Sequence, residues 1–258
     1  MKICRFLHND EIKFGAIKDD LIFPIDDFAE FQAADSKTLT NSINRTDVQF
    51  LPMIAPSKIV CVGRNYAEHA KELGNAVPKE PLLFLKAPSA LILDGENIII
   101  PEQSEQVEHE GELAVVIGRE CRKLSKNDNP FEYVFGYTCL NDVTARDIQR
   151  QDVQFTRGKS FDTFCPIAAF IETDLDVSDI QVTTRVNGVI KQDGRTSQMV
   201  FSVEFLIRYI SNQMTLNAGD IIATGTPAGV SKMNAGDICE VEIEGIGVLR
   251  NPIVKSQS

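Results

Sequence analysis

The run Leu113-Ala114-Val115-Val116-Ile117 offers no polar residue to either side, so it reads as a strand buried in the interior. Much of the chain is built from similar short pieces. KIVCVG (58–63), Asn97 to Ile100, Glu112 to Ile117, Val182 to Val186 and Ile238 to Ile243 have strand character, and the turns between them carry Gly, Asn and Asp. Tyr66 to Leu73 favours helix, with Gly74 placed where a left-handed residue ends one, and Val203 to Ser211 is the one strong helix candidate later on. A doubly wound sheet or a TIM barrel needs regular alternation of strand and helix, so both are excluded and an α+β, strand-rich fold is expected.

Residues 1–52 read as a small N-terminal module, with strands at Lys2 to Leu7, Lys13 to Ile17 and Leu21 to Pro24 followed by a polar helical stretch from Asp26 to Phe50. Pro52 and Pro56 punctuate the chain before KIVCVG, which places the boundary there and leaves residues 53–258 as the main domain. At 258 residues, one well-buried domain with such an appendage fits, and two full domains would be tight.

The net charge is −11 and no run of Lys and Arg interrupts it, so nucleic acid and anionic membrane surfaces are poor partners. A small anionic ligand would then need positive charge gathered locally. No stretch approaches the roughly 20 apolar residues needed to span a bilayer, and MKICRFLHND lacks an apolar export segment. The six cysteines are widely spaced with no C-x-x-C pair, which suggests neither a zinc cluster nor a disulfide framework and fits a cytoplasmic location.

The chemistry concentrates where Glu110 and Glu112 lead into the apolar run. Period two puts both carboxylates on one face, where they repel each other unless a cation lies between them. Asp142, at the end of the strand-like run Tyr133 to Leu140, supplies a third carboxylate. Three carboxylates without a nearby Cys or His cluster suit Mg²⁺ or Mn²⁺ rather than zinc. The same pattern also suits an exposed strand edge, with Asp142 capping a helix that opens at Val143.

His69 and Glu72, three apart on the first helix, share a face. Glu72 can hold one imidazole nitrogen while the other handles a proton, although an i,i+3 pair equally suits a solvated helix surface. His109 points away from the two glutamates. Lys159 lies in a Gly-containing turn, RGKSFD, from which its ammonium could reach a carboxylate or enolate, or remain at the surface. In GTPAG (225–229), backbone N–H groups and the Thr226 hydroxyl can meet an anion or simply close a tight turn; there is no P-loop. Arg146 and Asp147 are expected to brace their loop by pairing with each other or with backbone.

IVCVGRNYAEHAKELG (59–74), EPLLFLKAPSALI (80–92), HEGELAVVIG (109–118), GYTCLNDVTARDIQ (136–149), GKSFDTFCPIAAFI (158–171) and GDIIATGTPAGV (219–230) resemble, in order, blocks of the fumarylacetoacetate hydrolase family. The nearest likeness is to its short acylpyruvase, oxaloacetate decarboxylase and hydroxymuconate-type isomerase branch. The resemblance implies a mixed β-roll catalytic domain, Mg²⁺ or Mn²⁺ on Glu110, Glu112 and Asp142, a water-activating dyad of His69 and Glu72, Lys159 beside a developing enolate, and a homodimer. Lys86 and Gln149 match polar pocket positions of relatives, and Arg64 and Tyr66 immediately precede the dyad at the edge of a lid. Phe155 stands where relatives often carry Trp, and Ala87 where a second proline is common.

The activity implied first is hydrolysis of acylpyruvates to pyruvate and a carboxylic acid. The neighbouring reading is decarboxylation or tautomerisation of a dicarboxylic 2-oxo acid such as oxaloacetate or 2-hydroxyhepta-2,4-dienedioate. From another class, a non-catalytic 2-oxo-acid binding protein would be expected to lack His69 and Glu72.

Overall fold

The computed structural model describes residues 1–25 and 41–256. Thirteen of the strands among them join one mixed sheet, and five form a second. The large sheet starts from an antiparallel meander of Lys2–His8, Glu11–Lys18 and Leu21–Ile25. Asn9 and Asp10, both with positive φ, close its first hairpin, as a two-residue turn matched to strand twist requires. The meander continues into the rest of the sheet through Ile3 opposite Ile171 on the strand Phe170–Glu172.

The expected helix from Asp26 to Phe50 is not found where that segment is described. Residues 43–51 carry the short strands Ile43–Asn44 and Gln49–Leu51 around a 3-10 turn, while residues 26–40 lie outside the described residues. Pairing of Phe50 with Phe6, and packing of Ile43 and Phe50 on the core, outweigh the local polarity that suggested helix.

The strand Gly111–Ile117 is buried along its whole length. Val134–Asn141 and Ile221–Ala223 flank it, both antiparallel, and Ile59–Gly63 and Leu82–Lys86 follow beyond. Leu113, Val115 and Ile117 share one buried cluster with Val182, Val241, Ile243 and Leu249 of the second sheet and with Leu206, Ile207 and Ile210 of the helix Val203–Gln213. Ala114 belongs to another cluster with Ile59, Leu140 and Ala223. The acidic end of this strand is thus held between two hydrophobic layers, which is what fixes the site.

Of two short helices, Arg146–Gln151 starts three residues after the opening at Val143 that the sequence allowed, and Thr156–Lys159 was not expected. Each is too short to show a helical period. Their close approach depends on Gly158, where a Cβ would lie 3.0 Å from Gln149 N and 3.1 Å from Ala145 O. Lys159 therefore ends a helical turn. Gly74 follows the helix Ala67–Glu72 with φ 69°, as its position suggested. All six cysteines are buried and free, and no helix among the described residues is long and apolar enough to cross a membrane.

Candidate active site

Gly111 sits between the two glutamates because the second sheet leaves no room for a side chain. A Cβ there would lie 2.1 Å from Thr184 Oγ1 and 3.1 Å from a Val241 methyl. Across the ladder Gly111 faces Asn141, whose side chain accepts the Glu110 N–H at 2.9 Å, and the Asp142 N–H donates to Glu110 O at 2.8 Å. These bonds bring Glu110, Glu112 and Asp142 together, buried, with one carboxylate oxygen of each within 4.8 Å of the others. Neither an exposed strand edge nor a cap at Val143 describes this arrangement, since the next helix begins at Arg146.

Three buried cations surround the carboxylates. Lys159 Nζ donates to Glu110 Oε2 at 2.8 Å and to Asp142 Oδ2 at 2.6 Å. Lys86 Nζ lies 2.7 Å from Asp142 Oδ1 and donates to the Val143 and Lys159 carbonyls. Arg146 donates to Glu108 Oε2 at 2.7 Å and also to Glu110. The Arg146 side chain therefore takes neither of the partners expected of it, Asp147 or backbone. Asp147 instead accepts from Ser104 Oγ at 2.6 Å and from the backbone at Glu105 N at 2.8 Å, while Arg146 turns inward, because successive helical residues point about 100° apart.

Four buried carboxylates, with Glu108 included, thus face three cations. The imbalance falls on Glu112. Burial and the neighbouring Asp142 and Glu110 push its carboxyl well above the usual range, against the Gly225 N–H that donates to it at 2.7 Å. Glu110 is buried too, but Lys159 and Arg146 outweigh that and hold it below the usual range. Asp142 Oδ1 has the Lys86 ammonium as its ion-pair partner and accepts no further hydrogen bond. The surplus negative charge and the convergence of three carboxylate oxygens fit a divalent cation. An all-oxygen donor set suits a hard one, and its charge would turn the surplus positive, as an anionic substrate needs.

His69 Nδ1 lies 3.4 Å from Glu72 Oε2, a loose contact. His69, the acidic triad, Lys159 and Thr226 line one cavity of about 290 Å³, together with Arg64, Gln149, Arg150 and the pair Phe84 and Phe155. Those two rings meet edge to face at 5.5 Å, so Phe155 forms the wall expected of a larger aromatic. Glu72, Lys86 and Tyr66 are not on the cavity wall. Lys86 acts from behind Asp142. Tyr66 is 3% exposed, and its hydroxyl, which burial and then Glu112 push up, has no hydrogen-bond partner among the described residues.

The GTPAG turn meets anions, but they are the chain's own carboxylates, Glu112 at Gly225 N and Glu72 at Gly229 N. The Thr226 hydroxyl donates to Gly111 O at 2.9 Å and accepts from Gln192 Nε2 at 2.6 Å. His109 points away from the glutamates, contacting Gln192 Oε1 at 3.0 Å and Ser231 Oγ at 2.9 Å, and burial lowers its pKa. Sequence reasoning missed Gln192 and Asn65, which brace these loops. Asn65 was visible only as a neighbour of Arg64, and Gln192 carried no signal.

A family profile described as Fumarylacetoacetate (FAA) hydrolase C-terminal matches residues 58–254, and one described as Rv2993c-like, N-terminal, matches residues 1–52. Oxaloacetate tautomerase YisK of Bacillus subtilis is 43% identical over 216 residues, covering 78% of this chain and 71% of that protein. The solved structure of 5-carboxymethyl-2-hydroxymuconate delta-isomerase from Mycobacterium smegmatis aligns over 100% of both chains with a TM-score of 0.88 at 40% identity. Maleylpyruvate hydrolase from Sphingobium sp. SYK-6, solved with manganese(II) and pyruvate, also aligns over 100% of both chains, with a TM-score of 0.84 at 29% identity. The strand-rich mixed fold, the six blocks in order and these matches agree, and the chain belongs to the fumarylacetoacetate hydrolase family.

Proposed function

We propose that this protein is a Mg²⁺- or Mn²⁺-dependent enzyme that enolises a small 2-oxo acid, acting as a tautomerase or isomerase. The observation that carries this reading is one cavity in which His69, the acidic triad and Lys159 face the same space. A divalent ion on Glu110, Glu112 and Asp142 would supply Lewis-acid polarisation of the 2-oxo group.

The chain's own groups then have distinct tasks. His69 Nδ1 rests against Glu72, which leaves Nε2 to take a proton from C3 of the substrate. The electron pair released moves onto the C2 oxygen, and the Lys159 ammonium, held between Glu110 and Asp142, favours the negative charge there. Return of the proton to oxygen gives the enol, and return to another carbon of a conjugated chain gives an isomer. Phe84 and Phe155 give the cavity an apolar wall beside these groups.

Hydrolysis of acylpyruvates, the activity expected first from the resemblance, is the second reading, because the same His69 could activate a water. The relatives at 43% and 40% identity are named for tautomerisation and isomerisation, and those named as hydrolases follow at 37% and 29%, which supports ranking proton transfer first. The homodimer and the division at residue 52 belong to the same proposal.

The deciding experiment compares kcat/KM, with Mg²⁺ present, for oxaloacetate tautomerisation, for a 2-hydroxymuconate-type diacid and for acetylpyruvate hydrolysis. Preference for acetylpyruvate by tenfold, about 1.4 kcal/mol in the transition state, would promote the hydrolase. Binding of oxalate with Mg²⁺ but no turnover of any of the three would leave a binding protein.

A further inference from the structure

Among the basic groups on the cavity wall, Lys159 and Arg146 are engaged by the buried carboxylates, but Arg64 and Arg150 are not. Arg64 has no ion pair or hydrogen bond among the described residues. Arg150 has one contact, 3.3 Å to Gln106 Oε1. They come from separate elements, the loop after Ile59–Gly63 and the helix Arg146–Gln151, and converge on one space. In a chain of net charge −11, two arginines without a carboxylate partner on a single cavity wall need a reason.

The backbone at Arg64 strengthens the point. Its φ is 58°, in the left-handed region that side chains other than Asn, Asp and Gly adopt at a cost. The following residue holds it there. The buried Asn65 amide donates to Phe201 O at 3.0 Å and Thr224 O at 2.7 Å, and its oxygen accepts from Phe201 N at 2.8 Å. A strained residue kept in place beside a catalytic-type site, with its guanidinium unengaged, is poised for a ligand.

We infer that Arg64 and Arg150 receive a second carboxylate of the substrate, so that the site selects a 2-oxo diacid over the same molecule with its far carboxyl masked. This rests on the reading of the acidic triad as a metal site for the 2-oxo acid end. Guanidinium groups match a carboxylate with paired, charge-assisted hydrogen bonds. A neutral ester offers no charge, so covering the half-buried Arg64 and the exposed Arg150 strips their water without return. The cavity of about 290 Å³ has the size for a short-chain diacid.

The test uses displacement of oxalate, which carries only the chelating half, from the Mg²⁺-loaded protein. Oxaloacetate and its 4-methyl ester are compared as displacers, in the unaltered protein and in Arg64→Asn and Arg150→Gln. Asn tolerates the left-handed backbone, so Arg64→Asn should keep or raise the Tm, and a fall in selectivity would not reflect misfolding. The unaltered protein should favour the diacid at least tenfold, and each variant should lower that ratio at least tenfold. A ratio near one in the unaltered protein overturns the inference while bound oxalate leaves the metal reading standing. A ratio unchanged in one variant removes that arginine, and failure of oxalate to bind removes both ideas.

Discussion

Both oxygens of the Glu72 carboxylate lie 3.1 Å from the Gly229 backbone nitrogen, so the partner of His69 is anchored on the GTPAG turn as well as on its own helix. His69→Ala should lower kcat by about 10²- to 10⁴-fold, the usual worth of a general base, with metal affinity retained. Glu72→Gln should be milder, because an amide oxygen still accepts the Gly229 N–H and only the charge facing imidazole is lost. Steady-state kinetics beside metal titration checks both, and a His69→Ala enzyme within tenfold of the unaltered one would remove His69 from the mechanism.

Chelation with EDTA should abolish activity, and Mg²⁺ or Mn²⁺ should restore it, while the fold survives. Lys159 partners Glu110 and Asp142, so removal of an ion would leave neither carboxylate without an opposite charge. An ion present at 100 times its Kd contributes about 2.7 kcal/mol, a shift in Tm rather than a collapse. Full activity without metal would sink the site.

The two glutamates should respond differently to substitution. Glu112→Gln removes a group repelled by Asp142 and Glu110, so it should lose metal binding without lowering the metal-free Tm. Glu110→Ala leaves Lys159 and Arg146 with fewer partners and should cost about 3–5 kcal/mol of stability, as breaking a buried pair does. Calorimetric metal titration and thermal melts of the two variants measure the contrast. Equal losses of stability would contradict the charge arrangement.

What the sequence made legible was local. Glu110 and Glu112 are two apart on a strand, and His69 and Glu72 three apart on a helix, so spacing alone puts each pair on one face. What it hid was long-range. Arg146 finds its partners 38 and 36 residues upstream, at Glu108 and Glu110, whereas Asp147 was the candidate at hand. The GTPAG turn is built to meet anions, but the chain itself supplies them, from 113 residues earlier at Glu112 and 157 residues earlier at Glu72. Residues 43–51 are polar enough to suggest helix, and only pairing with Lys2–His8 makes part of that stretch a strand. The short helix carrying Lys159 has too few residues for a period to show.

Thr184 offers a stability test away from the chemistry. Its Oγ1 is fully buried, faces Gly111 and has no hydrogen-bond partner among the described residues. Valine has nearly the same shape and no hydroxyl to desolvate, so Thr184→Val should stabilise by about 1 kcal/mol. Denaturant titration measures it. A loss of stability would mean that the hydroxyl has a partner, such as an ordered water.

Asp220 links the pH dependence of folding to the strand that carries the GTPAG turn. Its buried carboxylate accepts from Ser57 N at 2.9 Å, Ser57 Oγ at 2.7 Å and Asn217 N at 2.7 Å, and pairs with Lys58. Burial alone would raise its pKa, but the Lys58 ammonium and these donors outweigh it and hold the carboxyl below its ordinary value. A carboxyl with a lowered pKa in the fold binds fewer protons folded than unfolded. Its contribution to stability is therefore complete above the unfolded value, about 3.9, and is lost as pH falls through the folded one. Asp220→Asn should cost about 2–4 kcal/mol at neutral pH, because its amide turns two donors toward groups that also donate. The gap between the unaltered protein and Asp220→Asn should then narrow below about pH 3.9. Urea titrations of the two proteins from neutral pH into acid would show this convergence, and a gap that stays constant down to the point of acid unfolding would mean that Asp220 does not titrate differently in the fold.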